Sequence, residues 1–175
     1  MSSRYHHQRA KHRRNIMKLT SLAAVALAAF AFTTGSQAQD NTSFPPANGG
    51  TSVSNPASHY VFSDTGARGE NPKTGIQVAN VWGDVTAGAH GAFFRFDPGF
   101  KSPVHTHTYD YYAVVVKGTL ENYQPGQNPV KLGPGSYWYQ RGKQAHTTAC
   151  VSKEPCEIYI VQQNKFDAQI PPKTE

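Results

Sequence analysis

The chain has no acidic residue before Asp40, although Arg4, Arg9, Lys11, Arg13, Arg14 and Lys18 all lie in that stretch. The basic start is followed by the apolar run Leu22 to Phe32 and the small-residue end Thr33-Thr34-Gly35-Ser36-Gln37-Ala38. This order reads as a secretory signal over residues 1–38, cut after Ala38. The sequence also lacks the ~20 consecutive apolar residues of a comfortable membrane span, which argues against the rival reading of a membrane anchor. Met17-Lys18-Leu19 starts a more ordinary signal peptide, so residues 1–16 fit a mis-assigned start codon. The expected location is the periplasm or the exterior, with no stable membrane insertion once the signal is removed.

An excess of basic charge is absent from the rest of the chain. Six of the 17 basic residues and none of the 11 acids fall within residues 1–38, so the remainder carries equal numbers of each sign. No basic patch for nucleic acid survives this removal. His6, His7 and His12 go with the leader and receive no metal role.

Helical periodicity is missing as well. No stretch after residue 38 carries a convincing helical period, and there is no heptad, phosphate-binding loop, G-x-G-x-x-G or internal repeat. Cysteine is scarce: only Cys150 and Cys156 occur. In an exported chain two cysteines fit one disulfide, here across a tight hairpin through Val151-Ser152-Lys153-Glu154-Pro155, and two free thiols are the alternative.

What is present is turn punctuation, with 15 glycines and 12 prolines. Residues 39–57 are small, polar and turn-rich, and read as a flexible linker. From residue 58 onward short β-like runs follow one another: 59–62, 75–82, 92–96, 104–107, 111–116, 119–123, 130–132, 136–139, 145–150 and 157–161. Short strands at such spacing imply an all-β sandwich or barrel over residues 58–175.

The most informative run is Gly99-Phe100-Lys101-Ser102-Pro103-Val104-His105-Thr106-His107. On a strand, residues two apart face the same side, so His105 and His107 offer two imidazoles to one ion. His146 is a third histidine further on, after the turn Gly133-Pro134-Gly135. By the same parity Tyr111 faces their side. Its phenol is a candidate ligand, a partner for bound water, a catalytic acid or base, or simply an interior aromatic. Asp110 is out of phase and faces away unless a bulge re-aims it, in which case it is a candidate carboxylate ligand or a partner of the ligands. Cys150 shares parity with His146 and is a possible soft ligand unless it pairs with Cys156. Tyr112, Tyr137, Trp138 and Tyr139 read as core or pocket wall, and Trp82 and His90 as structural.

These residues resemble the cupin superfamily, the small double-stranded β-helix or RmlC-like jelly roll. Its first motif is G-x5-H-x-H-x3-4-E-x6-G; here Gly99, His105, His107 and Gly118 match, with Tyr111 in the glutamate position. Its second motif is G-x5-P-x-G-x2-H-x3-N; Gly135 and His146 match, while Arg141, Lys143 and Cys150 replace the proline, second glycine and asparagine. The likeness spans roughly residues 75–165. The wording around His105 is also similar to a bacterial cupin subgroup of unassigned function, the DUF4437-like proteins, which brings no substrate.

The resemblance implies that His105, His107 and His146 point into the barrel and hold a divalent transition metal such as Fe, Mn, Ni or Zn. It implies a metal-dependent enzyme on a small organic substrate, dioxygenase-like, or alternatively a lyase or isomerase, with Tyr111 moving a proton. A non-catalytic periplasmic module that captures a metal or small ligand is the competing class. A homodimer through outer strands is expected.

Overall fold

A computed structural model of the protein describes Ser52 and residues 54–173, all within the unit Asp40–Glu175. The expected signal, and the linker as far as residue 51, lie outside the described residues. Eight strands follow a single 3-10 turn at Ala57–His59: β1 Ser63–Arg68, β2 Gly75–Gly83, β3 His90–Phe96, β4 Tyr111–Lys117, β5 Leu120–Tyr123, β6 Tyr137–Gln140, β7 Thr147–Cys150 and β8 Cys156–Gln162. No α-helix occurs among the described residues, and no helix there is long and apolar enough to cross a membrane.

One sheet has the order β1-β2-β3-β8-β4-β6, entirely antiparallel. The other pairs β5 with β7 and is widened by isolated bridges Lys101↔Ala149, His105↔His146 and Leu120↔Leu132. The two sheets face each other across the core, which is the cupin jelly roll.

Alternation of side chains explains why the central strands form as they do. In β4, Tyr111, Ala113 and Val115 are buried while Tyr112, Val114 and Val116 are exposed. In β8, Cys156, Ile158, Ile160 and Gln162 face inward. Phe94 and Phe96 of β3 join Ile158 and Ile160 in the core. Each buried Val, Ile or Phe among them contributes roughly 1.5–3 kcal/mol by leaving water. A one-residue slip would turn the whole set outward, so burial itself holds the register.

The glycines that frame the motifs are turn residues. Gly99, Gly118 and Gly135 have φ of 74°, 78° and 85°, a region closed to most side chains. Gly118 is also crowded: a Cβ there would lie 2.8 Å from the Cys156 sulfur.

Several expectations need correction. Residues 59–62 form no strand; the first strand begins at Ser63, and β1 is exposed throughout, so hydrophobic alternation could not reveal it. His105 and His107 sit in an extended segment tied by single bridges rather than in a full strand. The disulfide Cys150–Cys156 is present with Cα atoms 5.8 Å apart, but it does not cross a hairpin. Cys150 ends β7 in the small sheet and Cys156 begins β8 in the large one, so the bond staples one sheet to the other. Tyr112, Tyr137 and Tyr139 lie on the exposed outer face of β4 and β6, and only Trp138 of that group is buried.

Candidate metal centre

The backbone brings the third histidine to the first. His105 N–H donates to the His146 carbonyl at 3.0 Å, and His146 N–H returns the bond to His105 at 3.0 Å. A turn at Gly142-Lys143 secures the approach: Lys143 N–H donates to the His107 carbonyl at 2.7 Å. Lys143 adopts φ of 59°. It occupies the position where the second motif has glycine, so the backbone keeps the left-handed conformation although the glycine is gone. Gly142 beside it packs on the backbone of residues 108 and 109, where a Cβ would come within 2.7 Å of the Thr108 carbonyl oxygen.

The three rings therefore meet. Centroids are 4.2 Å apart for His105 and His146, 4.8 Å for His105 and His107, and 5.1 Å for His107 and His146. All three residues are buried, and one nitrogen from each lies within 4.8 Å of the others.

Their hydrogen bonds decide which nitrogen is free. His105 Nδ1 lies 2.9 Å from the Pro103 carbonyl, and His146 Nδ1 lies 3.2 Å from the Gln144 carbonyl. His107 Nδ1 contacts the Asp167 carbonyl. A carbonyl only accepts, so each Nδ1 must carry the proton and donate it. In a neutral ring this leaves the Nε2 lone pair available. His146 Nε2 is buried with no hydrogen-bond partner, an orphan of the kind a metal ion satisfies.

Burial also keeps the rings neutral. It pushes all three imidazoles down, His107 to about 4 and His146 to about 2, with repulsion from neighbouring histidines adding to the effect on those two. Three neutral imidazoles aimed at one point fit a divalent transition ion, which requires deprotonated nitrogen.

Tyr111 faces the same interior. Its ring lies 5.1 Å from that of His107, and its hydroxyl accepts from Trp138 Nε1 at 3.4 Å. Burial pushes its phenol above the ordinary value, so it is held protonated. Asp110 does not join the cluster. It is exposed and accepts from the Tyr139 hydroxyl at 2.5 Å and from Gly142 N–H at 2.7 Å. These two bonds hold its carboxyl below the usual range and fix it on the outer side. Cys150 is not a thiolate ligand, because its sulfur is bonded to Cys156.

Residues after β8 contribute groups that carried no motif. The segment folds back along the histidine run, with Thr106 and Gln169 bridged. The Phe166 ring packs at a tilt, its centroid 4.7 Å from that of His107 and 5.8 Å from that of Tyr111. The Asp167 carboxylate accepts from Thr108 N–H at 2.8 Å. The one signal available was an aromatic and an acid in a short tail, too little to place them.

A cavity of about 480 Å³ opens beside the histidines, between the two sheets. His105, His107 and Tyr111 line it, together with Ile76, Val78, Phe94, Phe96, Ile158 and Phe166. His146 lies behind them, fully buried.

Comparison with known proteins agrees with this architecture. Residues 92–162 match the family described as Cupin domain. No curated protein matches the chain. Among solved structures, the polyketide cyclase RemF from Streptomyces resistomycificus is similar, with a TM-score of 0.54 and 16% identity over 71% of this chain and 89% of that one. An RmlC-like cupin protein from Ralstonia eutropha has a TM-score of 0.53 and 12% identity over 71% of this chain and 77% of that one. Residues 92–162 thus match a cupin domain, and the described residues share the fold of these two structures.

Proposed function

We propose that the chain is an exported, metal-dependent enzyme of the cupin fold. In this reading His105, His107 and His146 hold one divalent transition ion, and a small organic substrate approaches it from the adjoining cavity. The observation that carries it is the common pattern of hydrogen bonds: all three Nδ1 atoms are tied to carbonyls, which turns three Nε2 lone pairs toward one another.

When bound, the metal supplies a Lewis acid with positions open to water, O2 or a chelating substrate. The protein's own groups then have separable tasks. The carbonyls of Pro103, Gln144 and Asp167 orient the rings. The apolar wall excludes water and strengthens electrostatic interactions inside. Tyr111, kept protonated, donates a hydrogen bond or a proton to a bound ligand and does not act as a base. Its place in the motif is that of a glutamate, so the centre keeps its full +2 charge and favours an anionic oxygen. Dioxygenase-like oxidation is the reaction class we favour, with lyase or isomerase chemistry available to the same ligand set. The narrower likeness to the unassigned cupin subgroup belongs to this proposal, as does a homodimer formed through the exposed outer face of β4 and the edge strand β6.

A second reading, a binding or sensing module without turnover, has one observation in its favour. Tyr111 is the protic group packed on His107 inside the cavity, and it is held neutral. Elemental analysis of the purified protein after metal repletion tests the first premise: one equivalent per chain is expected, lost in His105→Ala and His107→Ala. A content far below one equivalent, or unchanged in both variants, removes these residues as ligands. Oxygen consumption with a panel of phenols and keto acids then separates an oxygenase from a binder.

A further inference from the structure

The cavity beside the histidines is lined by carbon on most sides. Phe94, Phe96, Phe100 and Phe166 supply four rings, and β2 and β8 supply aliphatic side chains. No lysine or arginine is among its lining residues. Its two carboxylates are already engaged: Asp64 pairs with Arg68 at 2.7 Å, and Asp167 accepts from Thr108 N–H at 2.8 Å and from Gln169 Nε2 at 3.3 Å.

From this lining we infer that the ligand is an aromatic molecule of one or two rings bearing at most one ionised oxygen, and that phosphorylated or multiply charged molecules are shut out. The inference rests on the cavity assigned under the proposed function and adds the substrate class. A phosphate or second carboxylate moved into such a wall loses its hydration with no guanidinium or ammonium in the lining to replace it, the nearby Arg68 being paired with Asp64. One ionised oxygen can be met by the metal centre. Ring recognition follows from geometry. Phe166 lies 4.8 Å from Phe94 and 4.7 Å from His107, while Phe96 and Phe100 lie 5.4 Å apart, so tilted aromatic faces border the space next to the ligand nitrogens. The size agrees: at water's ~30 Å³ per heavy atom the cavity holds roughly 16 atoms, enough for one or two fused rings.

The test is calorimetric binding of 2-naphthol, naphthalene and glucose 6-phosphate to the full chain, metal-free and loaded with redox-inert Zn2+. We expect 2-naphthol to bind at least tenfold more tightly than glucose 6-phosphate in both forms, and naphthalene to bind the metal-free form. Val78→Lys, which places a cation in the wall, should weaken 2-naphthol at least tenfold. Val78→Phe should do the same by filling space, and serves if the lysine variant does not fold. Glucose 6-phosphate binding as well as or better than 2-naphthol, or no aromatic binding to either form, overturns the inference. Aromatic binding by a protein that takes up no zinc supports the cavity assignment and removes the metal reading alone.

Discussion

The backbone carbonyl of Asp167 accepts the Nδ1 proton of His107 across a sequence separation of 60 residues. The same residue's carboxylate clamps Thr108, the next residue after His107, through both its N–H and its hydroxyl. One short segment after the last strand therefore sets both the tautomer and the tilt of one ring of the candidate metal centre.

Loss of that clamp should loosen the metal and spare the fold. Asp167→Ala removes the carboxylate that fixes the carbonyl's position, and comparable outer partners of metal ligands carry about 10–100-fold in affinity. Zinc competition against a chromophoric chelator, with circular dichroism as the fold control, measures it. Affinity equal to that of the parent would show that Thr108 and Asp167 do not position His107.

The metal-free protein should lose stability as pH falls. The folded state holds His107 at about 4 and His146 at about 2, with His105 also lowered, against roughly 6.5 in the unfolded chain. Below about pH 6.5 the unfolded chain binds more protons, so the contribution is fully present above that value and drains away toward pH 4 and below. Each ring adds at most about 1.4 kcal/mol per pH unit. Melting temperatures of the metal-free form at pH 7.5 and 5.0 should differ clearly, and an unchanged value would contradict burial of neutral rings.

Reduction of the disulfide should weaken the protein without touching the metal. Cys150 and Cys156 are separated by 6 positions, a short loop for which chain entropy gives about 2 kcal/mol. Cys150→Ser with Cys156→Ser should lower the urea midpoint by that order while zinc content stays at the parent level. Loss of zinc in the double variant would return Cys150 to the ligand set.

Position 143 should prefer glycine. A left-handed backbone costs a side-chain-bearing residue about 1–2 kcal/mol, against about 0.5–1 kcal/mol for glycine's extra freedom when unfolded. Lys143→Gly should be neutral or gain less than about 1 kcal/mol, whereas Lys143→Val should lose more than about 1 kcal/mol, since β-branching suits this region worst. Chemical denaturation of both variants decides it, and a glycine variant weaker than the valine one would show that the lysine side chain, not the backbone, holds the turn.

The sequence by itself determined the features that depend on near neighbours. Alternating burial in β4 and β8, the turns at Gly99, Gly118 and Gly135, and the common side of His105 and His107 follow from a two-residue period and from φ preferences. The pattern was therefore enough for an all-β sandwich or barrel, and the resemblance to cupins narrowed it to a jelly roll. It was silent on β1, whose side chains are all exposed and carry no hydrophobic alternation. Tertiary structure alone decided the rest. Whether Asp110 could serve the centre depended on Tyr139 and Gly142 claiming it from another strand. Which cysteine chemistry prevailed depended on two sheets meeting at Cys150 and Cys156. The free nitrogen of each imidazole depended on carbonyls that included one from the far tail. Contacts of that kind are set by how distant segments pack, and a local pattern carries no record of them.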